Sequence, residues 1–265
     1  MMRIVWSTDI HLDFVSQVGF DEFVERLRDA APDVVLIGGD IAESRNVVEH
    51  LGRLDDCLPC PIYFVLGNHD FYHGSIAEVR YNVARFCEQR EKLCYLTANQ
   101  CVEIAGDVGL IGHDGWGDGR AGDYEHSEVM LNDYWLIEEL AGLEPGERWT
   151  VLKQLGDEAA AAVRRSLSEA LDRYRQVFFL THPPPFREAC WHNGAVSDDQ
   201  WAPHFTCKAV GDALVEIASQ HAEAELTVLC GHTHSPGEYR PLRHVRVVTG
   251  GAEYGFPTVN HVFRI

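Results

Sequence analysis

Five short segments of the sequence carry side chains that can bind metal ions, and each follows an apolar run. They are Asp9 with His11, Asp40, Asn68 with His69, His182, and His232 with His234. Imidazole, carboxylate and amide groups form a mixed nitrogen and oxygen donor set, which suits Mn, Fe or Zn. A single Asp or His after a strand is more often a turn or capping residue. Only the joint occurrence of all five segments indicates a shared metal site.

The elements that must position these groups alternate between strand and helix patterns. Apolar runs predict strands at 2–9, 33–40, 61–70, 93–97, 101–106, 108–115, 176–182 and 226–234, with closing antiparallel strands at 245–251 and 258–265. Helical spacing predicts helices at 20–31, 43–54, 75–86, 131–140, 150–174 and 208–220, the third of them capped by Ser75. Alternation of this kind favours a largely parallel sheet with helices packed outside it.

The donor segments are therefore predicted to meet at one edge of the sheet. In open α/β sheets, ligands bind beyond the carboxyl ends of the strands, where groups distant in sequence converge. Glycines at positions 38, 39, 67 and 231 stand next to the donors and allow sharp turns and close approach of the backbone.

These motifs, D-x-H at 9–11, GD at 39–40, GNHD at 67–70, His182 and GHxH at 231–234, resemble the signature of the calcineurin-like metallophosphoesterases. The resemblance implies an α/β fold built as a four-layer α-β-β-α sandwich, in which helices flank two mixed β-sheets. It also implies two divalent cations. Asp9, His11, Asp40 and His234 would bind the first, and Asp40, Asn68, His182 and His232 the second, with Asp40 as the bridge.

The chemistry implied is hydrolysis of a phosphate ester, either a monoester or a diester, by a hydroxide that bridges the two metals. In the family pattern His69 faces the substrate, where it protonates the leaving oxygen or binds a phosphate oxygen. Asp70 is expected to orient an imidazole from behind.

Two loops near 113–126 and 183–205 are expected to shape the substrate site within one domain that spans residues 1–265. Arg120 and Arg187 are candidates to hold a second phosphate, and Trp191 is a candidate to stack on a base or sugar. Trp116, Trp201 and Phe205 offer the same stacking surface, and packing of the loop onto the sheet is an equally good reading of these aromatic residues.

The composition limits the partners. Twenty-two Lys and Arg against 41 Asp and Glu give a formal net charge of -19, which disfavours long nucleic acids and anionic membranes. No leader pattern and no apolar stretch of membrane-spanning length is found, so a cytoplasmic location is expected. The eight cysteines lack the paired spacing of a zinc site, and the Cys57-x-x-Cys60 pair is read as ordinary thiols.

Three functions remain open at this point. The first is hydrolysis of a small phosphate ester, which includes nucleotides as candidates. The second is a catalytically weak protein-binding scaffold of the same fold, which would have no chemical reason to keep His69. The third is a nuclease, which the acidic charge and the lack of a basic stripe disfavour. Oligomeric state is not addressed by any pattern in the chain.

Overall fold

Two mixed β-sheets face each other in the computed structural model, which describes residues 1–99 and 101–265. Numbered in chain order, the strands are β1 Arg3–Ser7, β2 Val34–Gly38, β3 Ile62–Val65, β4 Leu93–Tyr95, β5 Val102–Ala105, β6 Val108–His113, β7 Gln176–Thr181, β8 Trp191–His192, β9 Ala195–Val196, β10 Glu225–Cys230, β11 Gly237–Leu242, β12 Val245–Thr249 and β13 His261–Arg264. The first sheet has the order β13-β1-β2-β3-β4, and the second has the order β11-β12-β10-β7-β6-β5. Strands β8 and β9 pair separately as a short hairpin.

Parallel pairing dominates the interior of both sheets. Strands β1 to β4 are mutually parallel, as are β6, β7, β10 and β12. Antiparallel strands lie only at the edges of these described sheets, where β13 pairs with β1, β5 with β6 and β11 with β12. Because the inner strands share one direction, their carboxyl ends open on the same side of the molecule.

The helices cover the outer faces of the sheets. They are α1 Gln17–Asp29, α2 Val47–Cys57, α3 Ile76–Cys87, α4 Asp133–Leu136, α5 Pro145–Arg173, α6 Ala202–Phe205 and α7 Lys208–Ala218. The apolar stripes of α1, α2 and α3 pack on the first sheet, and those of α5 and α7 pack on the second. The predicted four-layer sandwich is therefore confirmed.

The period of two in the strands explains how both faces of each sheet are buried. In β1, Ile4 and Trp6 point into the core between the sheets, where they meet Phe178 and Leu180 of β7. Val5 points the other way and packs with the helices of the first sheet. Strands with two buried faces read as continuous apolar runs, as in VVLIG of β2.

Several element boundaries differ from the sequence prediction. Helix α5 begins at Pro145 rather than near residue 150, because Pro145 stands at its first position and Glu144 and Glu147 form a capping box. Helix α4 is a single turn instead of the predicted helix at 131–140. Strand β11 was not predicted, since its sequence GEYRPL contains charges and a proline that are typical of an edge strand.

The closing strands separate into different sheets. Strand β12 lies in the second sheet, parallel to β10 and antiparallel to β11, whereas β13 is antiparallel to β1 in the first sheet.

All eight cysteines are free thiols. Across the described ranges, the structure has no helix that combines the length and the apolar character needed to cross a bilayer.

Candidate metal centre

The five donor segments converge where β1, β2, β3, β7 and β10 end. Asp9 and His11 follow β1, Asp40 follows β2, and His182 follows β7 directly. The loop after β2 is tied to the loop after β1, because the backbone N–H groups of Asp9 and His11 donate to the carbonyl oxygens of Gly39 and Asp40. Parallel pairing of the strands thus delivers groups more than 200 positions apart in sequence to one rim.

The backbone at this rim is strained. Five donor residues have positive φ angles, namely Asp9 at 51°, His11 at 39°, Asp40 at 49°, His232 at 68° and His234 at 54°. Such conformations cost on the order of 1 kcal/mol or more each and cluster where a functional geometry demands them. Here the positive φ angles allow side chains from successive loops to point at a common centre.

Two glycines allow the carboxylates to reach that centre. A Cβ atom on Gly67 would lie 2.2 Å from Oδ1 of Asp40, and one on Gly231 would lie 2.0 Å from Oδ2 of Asp9. Neither distance is possible between non-bonded heavy atoms. The glycines of GNHD and GHTH are therefore required by close approach of the backbone to the donors.

The first donor group consists of Asp9, His11, Asp40 and His234, whose ligand atoms all lie within 4.8 Å of one another. Nε2 of His11 is 3.1 Å from Nε2 of His234 and 3.8 Å from Oδ2 of Asp40. Nε2 of His234 is 3.3 Å from Oδ1 of Asp9. Three of the four residues are buried, so the group is shielded from water.

The second donor group shares Asp40 with the first. Asp40, His182 and His232 also have ligand atoms within 4.8 Å of one another. Nε2 of His182 lies 3.4 Å from Oδ1 of Asp40, 3.2 Å from Nδ1 of His232 and 3.0 Å from Oδ1 of Asn68. The two oxygens of Asp40 thus face different groups, Oδ2 toward His11 and Oδ1 toward His182.

The tautomer of His182 determines which of its ring nitrogens can bind a cation. Nδ1 of His182 donates to the carbonyl oxygen of Gly38 at 2.9 Å, so a neutral ring presents a lone pair at Nε2. That lone pair faces the Asn68 oxygen and the His232 nitrogen, both of which are acceptors when Nδ1 of His232 is unprotonated. Converging acceptors repel one another unless a proton or a cation lies between them.

The ionisation of these groups agrees with a site built for cations. Burial disfavours a charge on His182, but the carboxylates of Asp40 and Asp9 raise its pKa to about 10. Burial lowers the pKa of His11 to about 4, and burial together with His182 lowers that of His232 to about 3. Burial opposes ionisation of Asp40, yet His182 and neighbouring imidazoles hold its pKa well below the usual value. Burial also opposes a charge on His234, but its hydrogen bond to Asp9 raises its pKa. His11 and His232 are therefore neutral, whereas His182 and His234 must release a proton before they can bind a cation.

Comparison with known proteins identifies the family. The sequence model of the calcineurin-like phosphoesterases matches residues 2–236. The chain belongs to this family. The geometry agrees with metal-dependent phosphoester hydrolysis, because Asp and His residues that could hold metal ions stand together as two groups with one carboxylate in common.

Individual relatives resemble parts of the chain. A transmembrane protein with a metallophosphoesterase domain from Bos taurus is 37% identical over 82 residues, which cover 29% of this chain and 18% of the relative. An uncharacterized metallophosphoesterase of Campylobacter jejuni is 31% identical over 77 residues, which cover 28% of this chain and 21% of the relative. The match thus spans less than a third of the length of these curated relatives.

Solved structures share the fold over nearly the whole chain. A phosphopantetheinyl hydrolase from Mycobacterium tuberculosis superposes with a TM-score of 0.66 at 15% identity and covers 97% of this chain and 94% of its own. A dimetal phosphatase from Danio rerio superposes with a TM-score of 0.56 at 14% identity and covers 94% and 87%. At such identities the likeness concerns the fold of these phosphoesterases alone.

His69 lines a cavity that opens beside the two donor groups, with Asp40, His232 and His234 also in its wall. Its backbone N–H donates to Oδ1 of Asp40 at 2.9 Å, and its ring centroid lies 4.7 Å from that of His11. Nε2 of His69 is 3.4 Å from the hydroxyl of Tyr254. The ring also packs against Tyr72 at 4.3 Å. His69 is therefore held next to the donors without belonging to either donor group.

The role predicted for Asp70 requires a correction. Its carboxylate does not orient an imidazole among the described residues. It accepts hydrogen bonds from the backbone N–H groups of Ile41, Ala42 and Gly67 at 2.8 to 2.9 Å. These bonds join the loop that carries Asp40 to the loop that carries Asn68. Asp70 thus fixes the spacing of two donor segments through the backbone.

Asp133 contacts the second donor group from behind, and the sequence prediction missed it. It is buried, and its Oδ1 accepts from Nδ2 of Asn68 at 2.9 Å and from the hydroxyl of Tyr72 at 2.8 Å. This contact turns the amide of Asn68 so that its oxygen faces His182. The only signal in the sequence is a polar Asn-Asp pair, 132–133, ahead of aromatic residues, which resembles many surface loops.

The predicted substrate residues Arg120, Arg187 and Trp191 lie outside the cavity wall. Arg120 pairs with Asp118 at 3.1 Å and Asp157 at 2.8 Å. The guanidinium of Arg187 donates to Asp199 and to the carbonyl oxygen of Ser197. Trp191 packs against Gly237, where a Cβ atom would lie 2.2 Å from the indole. The side chains of these three residues make ion pairs, hydrogen bonds or packing contacts elsewhere, so the structure does not bring them to the donor groups.

Other residues of the two predicted loops lie at the cavity wall, in the core or on the surface. Residues 191–205 supply the hairpin β8–β9 and helix α6, and His192, Trp201 and Phe205 from this segment line the cavity. Trp116, His113 and His204 are buried instead, and His126 pairs with Asp123 on the surface. The second predicted loop thus reaches the cavity, although its His204 is buried. In the first predicted loop, His113 and Trp116 are buried and His126 is exposed.

Proposed function

We propose that this protein hydrolyses small phosphate esters at a dinuclear centre, and that residues 1–265 form the one domain that does so. The supporting observation is that Asp40 belongs to both donor groups, with one oxygen toward each. A shared carboxylate of this kind suits two neighbouring divalent cations. The nitrogen and oxygen donors favour Mn, Fe or Zn.

The metal ions and the protein side chains would have different roles in the reaction. When bound, two divalent ions would neutralise phosphate oxygens and make a water acidic enough to act as the nucleophile near neutral pH. The protein supplies geometry. The carbonyl oxygen of Gly38 holds the tautomer of His182, Asp133 holds the amide of Asn68, and the backbone N–H of His69 holds the Asp40 carboxylate. Preorganised donors of this kind avoid the cost of reorganisation during reaction.

His69 is proposed as the residue that donates a proton to the leaving oxygen. It lines the cavity, and its ring is kept in place by Tyr72 and by the hydroxyl of Tyr254. Its distance from the donor groups is short enough for contact with a phosphate bound there. An acid in this position lowers the barrier by stabilising the developing alkoxide.

The proposal covers both monoesters and diesters, since a two-metal centre serves both. Short nucleotides are included in the proposal, and the net charge of -19 disfavours long nucleic acids. The complete set of donors also separates this chain from a scaffold that has lost its catalytic groups.

The test is reconstitution of metal-free protein with Mn, Fe or Zn, followed by hydrolysis assays on p-nitrophenyl phosphate, bis-p-nitrophenyl phosphate, and cyclic and linear nucleotides. We expect Asp40→Asn to lose one or both ions, because the shared residue loses its charge and one donor oxygen. Asp212→Asn, which alters a surface ion pair with Lys208, is the matched control. Full metal occupancy in Asp40→Asn would contradict the shared role.

A further inference from the structure

The cavity beside the donor groups has a volume of about 540 Å³, and its wall is acidic and apolar. No Lys or Arg lines it among the residues for which the structure gives positions. The charged side chains at the wall, apart from histidines, are the carboxylates of Asp40, Asp133 and Asp198. A cavity that accepts a polyphosphate is normally lined by cations that offset the additional charge.

Apolar and aromatic side chains cover another part of the cavity wall, which adjoins the donor groups where Tyr254 lies 4.4 Å from His11 between ring centroids. Val196 of the hairpin, Trp201 ahead of α6 and Tyr254 are 40%, 49% and 45% exposed, respectively. Phe205 continues this surface inward and lies 4.6 Å, between ring centroids, from His232. Aromatic and aliphatic groups left open around one cavity mark a surface that is covered by a ligand or partner.

The arginines of the neighbouring loops do not compensate for the missing positive charge. Arg187 is turned to Asp199 and to the backbone of Ser197, and Arg120 is held between Asp118 and Asp157. Asp198 itself accepts from the backbone N–H groups of Gln200 and Trp201, which fixes a carboxylate at the rim of the cavity. A second phosphate in this space would meet carboxylates and aromatic rings.

We infer that the site acts on phosphate esters whose alcohol is uncharged and apolar, and that it discriminates against alcohols that carry a second phosphate. The inference rests on the proposed function, because it assigns the substrate class of that same site. Val196 and Trp201 are the residues that set this preference. They contact the alcohol, whereas the donor groups contact the phosphate.

The experiment compares hexyl phosphate with 1,6-hexanediol bisphosphate on metal-reconstituted protein. The two esters share the length of the alcohol and the acidity of the leaving group, and they differ in the distal phosphate. We expect kcat/KM to be at least about tenfold higher for hexyl phosphate, because the distal dianion loses apolar contact and faces Asp198. Equal kcat/KM values, or preference for the bisphosphate, would overturn the inference.

Two variants with matched controls assign the preference to the wall. Val196→Lys places a cation in the cavity and should move the ratio of kcat/KM values at least about fivefold toward the bisphosphate. Val18→Lys makes the same change on the exposed face of α1 and should leave the ratio unaltered. Trp201→Ala should lower kcat/KM for hexyl phosphate about tenfold. The same substitution should change kcat/KM for methyl phosphate little, because that ester has no alkyl chain to contact the indole. Tyr81→Ala removes an exposed aromatic of α3 as its control.

A binding measurement separates this inference from the proposed hydrolysis. Isothermal titration calorimetry on the reconstituted protein compares hexylphosphonate with 1,6-hexanebisphosphonate, neither of which is hydrolysed. If the monophosphonate binds more tightly and Trp201→Ala weakens this binding, the inference is supported. A lack of turnover of every ester would refute the proposed hydrolysis but not the inferred preference. Hydrolysis of both esters with no difference in binding would refute the inference and leave the proposed function standing.

Discussion

Asp133→Ala tests whether a residue that contacts no metal organises the centre. The substitution removes the acceptor for two buried donors, the amide of Asn68 and the hydroxyl of Tyr72. A buried donor left without a partner costs about 1 to 3 kcal/mol. Part of this cost is offset, since burial raises the pKa of Asp133 and its ionised form is itself disfavoured. We expect a net loss of about 1 to 3 kcal/mol in the free energy of unfolding.

The effect on the metal centre should exceed the effect on stability. Without Asp133, the amide of Asn68 keeps only its 3.4 Å contact to the hydroxyl of Tyr72, so its oxygen is held less firmly at 3.0 Å from Nε2 of His182. Loss of a residue that orients a ligand typically lowers metal affinity or activity about 10- to 100-fold. Asp133→Asn retains one acceptor oxygen and should restore part of the loss.

The assay combines competition for Mn against a chelator, thermal unfolding with and without Mn, and kcat/KM on p-nitrophenyl phosphate. Asp55→Ala is the control for stability alone, since Asp55 is also buried but pairs with Arg90 at 3.0 Å and Lys92 at 3.6 Å. If Asp133→Ala binds Mn as tightly as the unmodified protein while it unfolds as easily as Asp55→Ala, the orienting role is refuted.

Three further predictions follow from the same geometry. His69→Ala should lower turnover on an alkyl phosphate roughly 10²-fold while metal analysis still finds two ions, and unchanged turnover would end its assignment as the acid. Gly67→Ala should abolish metal binding and cost about 2 kcal/mol of stability, because its Cβ would lie 2.2 Å from Oδ1 of Asp40. Calorimetric titration with Mn and calorimetric unfolding measure the two effects. Gly146→Ala is the control, since its Cβ meets nothing within 4 Å and should cause neither loss. In metal-free protein the pKa of His182 is raised from 6.5 to about 10, so its contribution to stability is complete below pH 6.5 and disappears as the pH rises through 10. Metal binding must displace that proton, so the apparent affinity should rise about tenfold per unit between pH 7 and 9, and a pH-independent affinity in that window would contradict the assignment.

The alternation of apolar runs and helical patterns predicted parallel strands covered by helices, because both faces of the inner strands are buried. The division into two facing sheets came only from the family resemblance, since no local pattern assigns a strand to one sheet or the other. Boundaries were less predictable. The start of α5 depends on a capping box at Glu144 and Glu147, and the edge strand β11 is held by pairing with β12 rather than by its own propensity. Edge strands carry weak local signals since one side of their backbone faces solvent.

By itself the sequence determined which residues can act as donors, since residue type and position after an apolar run are local properties. Only the tertiary structure decided what those donors do together. It directed the two oxygens of Asp40 toward different groups, turned Asp70 to backbone N–H groups, placed Asp133 behind Asn68 and engaged the loop arginines in ion pairs away from the cavity. Each of these outcomes depends on side-chain direction across chain loops that are distant in sequence, which no local pattern specifies.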